Sequence, residues 1–240
     1  MVDMLGKIIT GCVIALSFAG SLAAEELFTG DIYLAGTNRG VLIFRQKNSV
    51  TRNGDITLLK HTYTHPDGRV ATVEEVTLVR GVFEKYNVDF AKSTCGCTLE
   101  RDGDRIRFGF TRGDVSKKGE DKYVSTLVMG PTLSGFVRSR WDRIARGETV
   151  FFHFPAMTLQ RIVRFQLTRH DTSPYARDGV MVVKMDIANL FLRLLVDPVD
   201  MVYDERTKRV VGIHGKSLLE REVNGRIENP IVDIYYRYSR

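Results

Sequence analysis

Val82-Phe83-Glu84-Lys85-Tyr86-Asn87-Val88-Asp89-Phe90 sets Val82, Tyr86, Val88 and Phe90 against Lys85, Asn87 and Asp89. The period is two residues, the interval at which side chains of an extended chain return to one face, and it predicts a half-buried antiparallel strand. The pattern recurs further along. Met157, Leu159, Val163, Phe165 and Leu167 share a face, with Thr158, Gln160, Arg164, Gln166 and Thr168 opposite, and Val232, Ile234, Tyr236 and Tyr238 oppose Asp233 and Arg237. Asn53-Gly54-Asp55, His65-Pro66-Asp67-Gly68, Arg101-Asp102-Gly103-Asp104 and Glu222-Val223-Asn224-Gly225 are turn or hairpin signals. Reading between such turns predicts about ten to twelve strands. The polar stretch Thr111 to Asp121 reads as a mobile surface loop.

One segment has a different period. From Pro131 to Gly147, Leu133, Phe136, Val137, Trp141 and Ile144 fall at helical spacing, with Arg138, Arg143 and Arg146 outside the stripe. Pro131 suits a helix start and Gly147 a stop, so an amphipathic helix over residues 132–146 is expected to pack on the sheet, anchored by Trp141. A second, shorter helix is expected from Ile187 to Leu195, ending before Asp197-Pro198. The fold class is therefore mainly β: an antiparallel sheet forming a sandwich, a barrel or a half-barrel around a helix.

The N-terminal segment gives an address. Lys7 precedes the apolar run Ile8 to Phe18, and small residues follow up to Ala24 before Glu25-Glu26. This is the order of a secretory signal peptide over residues 1–24, cleaved after Ala23 or Ala24. Cys12 does not fit a lipoprotein acylation site, because the apolar run continues past it. The protein is expected in the periplasm or secreted, with residues 25–240 forming one β-rich domain. About 215 residues suffice to bury a core.

Against 29 Asp and Glu stand 35 Lys and Arg, a net charge of +6 with the signs interleaved. In an exported protein this argues against nucleic acid and leaves contact with an anionic membrane surface open. After processing, Cys95 and Cys97 are the remaining cysteines, in Thr94-Cys95-Gly96-Cys97-Thr98. An oxidising compartment favours a Cys95–Cys97 disulfide, closed by a bend at Gly96 and marking a bend between strands. Two free thiols, a thiol–disulfide function or a soft metal held by two thiolates are the alternatives.

No catalytic set emerges. The G-x-S-x-G motif is absent, and Gly215-Lys216-Ser217 lacks the leading glycine of a phosphate loop because residue 210 is Val210. His61 and His65 lie on a strand entering a turn and need not face one point. His153 sits among aromatics, and His170 and His214 lie near turns. The pairs Glu74-Glu75 and Asp197/Asp200 are expected at the surface. Neither a metal nor a cofactor is expected. Phe152, Phe154, Met157, Met181, Met185 and Phe191 make a bulky, adaptable apolar set, and Arg161 and Arg164 on intervening positions suit an anionic head group. The expected function is non-catalytic binding of a lipid-like, amphipathic ligand as a carrier or envelope factor. The alternative is an envelope interaction module that recruits a partner protein through an exposed edge strand at Ile231 to Tyr238. A thiol-redox enzyme or a hydrolase is the remaining possibility.

Overall fold

A computed structural model describes residues 27–91, 95–189 and 197–239. The signal peptide expected over residues 1–24 lies outside the described residues. The first meander consists of β1 (Phe28–Leu34), β2 (Leu42–Asn53), β3 (Ile56–Thr64), β4 (Val70–Val79), β5 (Val82–Phe90), β6 (Cys95–Asp102), β7 (Arg105–Arg112) and β8 (Val115–Lys122). Helices α1 (Gly130–Ser139) and α2 (Trp141–Ala145) follow. A second meander then comprises β9 (Val150–Ala156), β10 (Arg161–Arg169), β11 (Val180–Ile187), β12 (Val199–Asp204) and β13 (Val210–Lys216). A small hairpin, β14 (Arg221–Val223) with β15 (Arg226–Glu228), precedes the last strand, β16 (Ile231–Tyr238).

The two meanders join into one antiparallel sheet of 14 strands through β16, which pairs with β1 on one side and β13 on the other. The expected edge strand at the C-terminal end is thus the seam of the sheet, with both sets of backbone groups committed, and it cannot recruit a partner by strand addition. The edges are β8 and β9. Edge strand β8 reaches the start of β10 without forming a ladder: the Ile162 N–H donates to Asp121 Oδ2 at 2.9 Å. Residues 126–128 shield β9, the Val128 N–H donating to the His153 carbonyl at 2.8 Å and the His153 N–H to the Thr126 carbonyl at 3.0 Å. The sheet is a half-barrel-like roll and not a closed barrel.

Hairpin chemistry makes the meanders. Arg80 (φ 52°) and Gly81 (φ 76°) both take the left-handed conformation of a two-residue turn, whose twist matches that of the flanking strands. The four turn signals read from the sequence all fall between paired strands. Inside the roll, α1 and α2 bury Val137, Trp141 and Ile144 against β9 to β13, and the Trp141 ring meets Tyr203 edge-on at 5.9 Å. The expected helix is therefore present and packed as read, but interrupted. Ser139 Oγ donates back to the Phe136 carbonyl at 2.7 Å and the Arg140 N–H bonds Val137, three residues back, so Trp141 begins a new turn.

Other expectations are corrected. Residues 111–121 are not a loop but the end of β7, a turn at Gly113-Asp114, and β8. An edge strand exposed on both faces carries no apolar alternation, so its strand character was invisible to periodicity. Residues 157–160 form the β9–β10 turn, leaving Leu159 69% exposed instead of sharing a buried face with Phe165 and Leu167. In β5 a bulge opposite Thr77/Leu78 inverts the pattern at the strand start: Phe83 points inward at 5% exposure while Val82 is 41% exposed. Ile187, the expected start of the second helix, is the last residue of β11. The remainder of that segment, with Phe191 and Leu195, lies outside the described residues apart from Ala188 and Asn189.

Candidate functional site

The segment leading into α1 runs along the β9 edge, and with α1 it approaches the β4–β5 hairpin. Between them is a groove of about 610 Å³. Leu78, Phe83, Tyr123, Leu127, Met129 and Phe136 give it apolar walls, and Arg138 and Arg140 contribute the cationic groups. The Arg140 guanidinium lies 5.9 Å from the Phe136 ring centre. Arg138 Nε is buried and has no hydrogen-bond acceptor among the described residues. An unpaired guanidinium N–H beside apolar walls is costly unless an acceptor arrives, and an anionic oxygen is the acceptor that suits it best.

Next to this groove, across the start of α1, the interior carries a polar belt. β2 contributes Gln46 and Asn48, β3 His61 and Tyr63, β4 Glu74, β5 Tyr86 and β16 Tyr236, all facing inward by strand parity. Glu74 is the centre: Tyr86 Oη donates to Oε1 at 3.3 Å, Tyr63 Oη to Oε2 at 3.4 Å, and His61 Nδ1 lies 3.6 Å from Oε2. The Tyr236 hydroxyl donates to Gln46 Oε1 at 3.1 Å. Burial, reinforced by the Glu74 carboxylate, holds the Tyr63 and Tyr86 hydroxyls well above the usual tyrosine range, so both stay protonated donors. The expectation that Glu74 lies at the surface is overturned, because register sets it opposite His61 and Val88 on the inner face. Its neighbour Glu75 does face out, paired with Lys60 at 2.8 Å.

A third constellation lies on the outer face. Register aligns Asp200, His214 and Asp233 in one cross-strand row. His214 Nδ1 is 2.9 Å from Asp233 Oδ1, and His170 Nδ1 is 2.9 Å from Asp200 Oδ1. Ser173 Oγ donates to Asp200 Oδ2 at 2.8 Å, and the Tyr175 ring stacks on His214 at 3.5 Å and 8°. These contacts clasp the 170–179 loop onto the sheet. Beside His170 they leave a polar depression of about 410 Å³ bordered by Arg177, Asp178 and Glu205.

The residues singled out from sequence disperse. Phe152 and Met181 are fully packed in the core against α1 and α2, with Phe154 and Met185 at its margin. Met157 packs instead against the β3–β7 cluster. Arg161 is exposed at the start of β10, and Arg164 lies on the outer face with its guanidinium 3.8 Å from the Phe151 ring centre. The groove draws its cations from the end of α1 and the residue after it, and the helical stripe itself was the available signal: Arg138 and Arg140 follow Phe136 and Val137 in the sequence.

Cys95 and Cys97 are free, buried thiols and not a disulfide. The expected bend at Gly96 does not form, because Gly96 pairs with Asp89 on one side and Thr111 on the other, and the Thr111 hydroxyl bonds both its N–H and its carbonyl. A straight strand holds residues i and i+2 about 6.7 Å apart at Cα, the outer limit for a disulfide. Burial pushes the Cys97 thiol up to about 12, with Cys95 adding to the shift and Arg112 opposing it.

Comparison of the chain with protein-family models, with curated proteins and with solved structures yields no match.

Proposed function

We propose that this protein is a non-catalytic carrier or envelope factor that binds an anionic, amphipathic, lipid-like molecule in the groove beside α1. The observation that carries the reading is Arg138: a buried guanidinium nitrogen without an acceptor among the described residues, in the wall of an otherwise largely apolar groove. An acyl chain would lie against Leu78, Phe83, Leu127, Met129 and Phe136, and its head group would meet Arg138 and Arg140. Methionine and aromatic walls adapt to flexible chains, and a charge-assisted hydrogen bond selects the anionic end. Export by the N-terminal signal peptide belongs to the same proposal, since a carrier in the envelope has lipid on either side of it.

The test is titration with a dansylated long-chain fatty acid, followed by fluorescence. Saturable binding of one probe per chain is expected, weakened about tenfold or more in Arg138→Gln, which removes the charge-assisted bond. Phe136→Glu should abolish it while circular dichroism stays unchanged. Absence of saturable binding, or binding indifferent to both substitutions, overturns the reading. The mass of the protein recovered from the periplasm tests export: a chain beginning at Ala24 or Glu25 is expected, and a full-length cytoplasmic chain refutes it.

A further inference from the structure

The excursion between β13 and β16 crosses one end of the roll. Leu219 tucks in beside Ala71 and Phe44, and Glu220 pairs with Arg112, the last residue of β7. Beneath this strap lie the two thiols: Cys95 is directly opposite Arg112 in the β6–β7 ladder, and Cys97 is opposite Phe110. Residues i and i+2 of a strand project to one side, and both cysteines are buried in the apolar cluster, at 2% and 5% exposure. The two side chains therefore enter the same pocket from adjacent same-face positions of β6, with Phe110 and Val88 flanking Cys97 across the ladders. Two charged groups lie near them, Arg112 and Glu220, and Glu220 Oε2 is buried without a hydrogen-bond partner among the described residues.

We propose that Cys95 and Cys97 form a two-thiolate site for a soft monovalent cation of the Cu(I) class, with Arg112 supplying counter-charge. Two buried thiols on one side of one strand, in an apolar pocket, match an ion that prefers thiolates. Among the described residues no group of three or more His, Cys, Asp and Glu is placed to hold a metal, so a four-coordinate ion such as Zn(II) would lack half of its protein ligands. Binding replaces two S–H bonds by two S–Cu bonds and releases two protons. No electron is transferred, and the bis-thiolate complex carries one negative charge, which Arg112 offsets and Glu220 opposes. Because binding releases two protons, apparent affinity rises with pH.

The experiment is anaerobic titration of the reduced full chain with Cu(I) in competition with bicinchoninate. One Cu(I) per chain is expected, with near-ultraviolet thiolate-to-copper absorption and two protons released per ion. Apparent affinity should climb about 100-fold per pH unit between pH 6 and 8. Cys95→Ser and Cys97→Ser should each lower affinity at least 100-fold. Glu220→Gln, which retains an acceptor for Arg112, should raise it several-fold. The proposal is overturned if bicinchoninate keeps the copper, or if folded serine variants bind as tightly as the parent. Fewer than two protons released by the unmodified chain would overturn it too, and that readout needs no variant to fold.

Discussion

Glu74 and Gly130 are in direct contact: a Cβ built on Gly130 would lie 2.8 Å from Glu74 Oε2. The first residue of α1 is therefore seated on the carboxylate that receives the Tyr63 and Tyr86 hydroxyls, and the helix enters the roll where the polar belt meets the groove. Gly130→Ala must displace that carboxylate from its donors. A loss of about 1–3 kcal/mol is expected, measured as a lower urea midpoint with unchanged slope. Glu74→Ala, which removes the carboxylate acceptor of the Tyr63 and Tyr86 hydroxyls, should cost about as much, and the double variant should cost less than the sum because both act through one contact.

The inverted start of β5 makes a sharp comparison. Phe83→Ala should destabilise by about 3–5 kcal/mol as a core truncation. Val82→Lys, two-fifths exposed, should stay within about 0.5 kcal/mol. Parallel urea unfolding of the two variants measures both. Reversed outcomes would place the β4–β5 bulge elsewhere.

His153 ties the β9 edge to the segment leading into α1, its Nδ1 lying 2.7 Å from Thr126 Oγ1. Burial, with Arg164 adding to it, holds this imidazole below the ordinary histidine range. The unfolded chain therefore takes up the proton first. Stability from this residue is fully present above about pH 6.5, falls as the pH drops toward the folded value, and is flat below both. Thermal unfolding between pH 8 and 5 should show this decline, and His153→Gln should flatten part of it.

Both thiols should resist alkylation in the native protein. Burial shields them, and a Cys97 thiol pushed up to about 12 is almost wholly protonated near neutrality. Iodoacetamide at pH 8 should modify neither within the time that labels both in urea, as read by mass. Rapid native labelling of Cys97 would show that the strap carrying Glu220 opens freely.

The Tyr175–His214 stack and the Asp200 contacts of His170 and Ser173 together fasten the 170–179 loop. Tyr175→Ala should expose this loop to limited proteolysis near Arg177 several-fold faster, with little change in global unfolding. Unchanged cleavage would mean that the Asp200 contacts suffice.

What could be read from the sequence was whatever neighbouring residues decide among themselves. Alternation marked the strands of the core, Gly and Asn at left-handed positions marked hairpins, and the stripe from Leu133 to Ile144 marked the helices, because each pattern is set by local geometry. Pairing is not local. Nothing near Ile231 to Tyr238 says that it will lie between β1 and β13, and nothing in Val115–Lys122 betrays a strand, since its partner supplies the hydrogen bonds and water takes both faces. The same limit hid the site. Glu74 looks like any surface carboxylate until register sets it beside His61 and helix α1 is laid over it, and Gly96 looks like a hinge until two neighbouring strands hold it straight. Composition and period fixed a β-rich chain wrapped on a helix; only the assembled sheet decided which polar groups it would bury and which arginines would line a groove, because that choice depends on which distant strands meet.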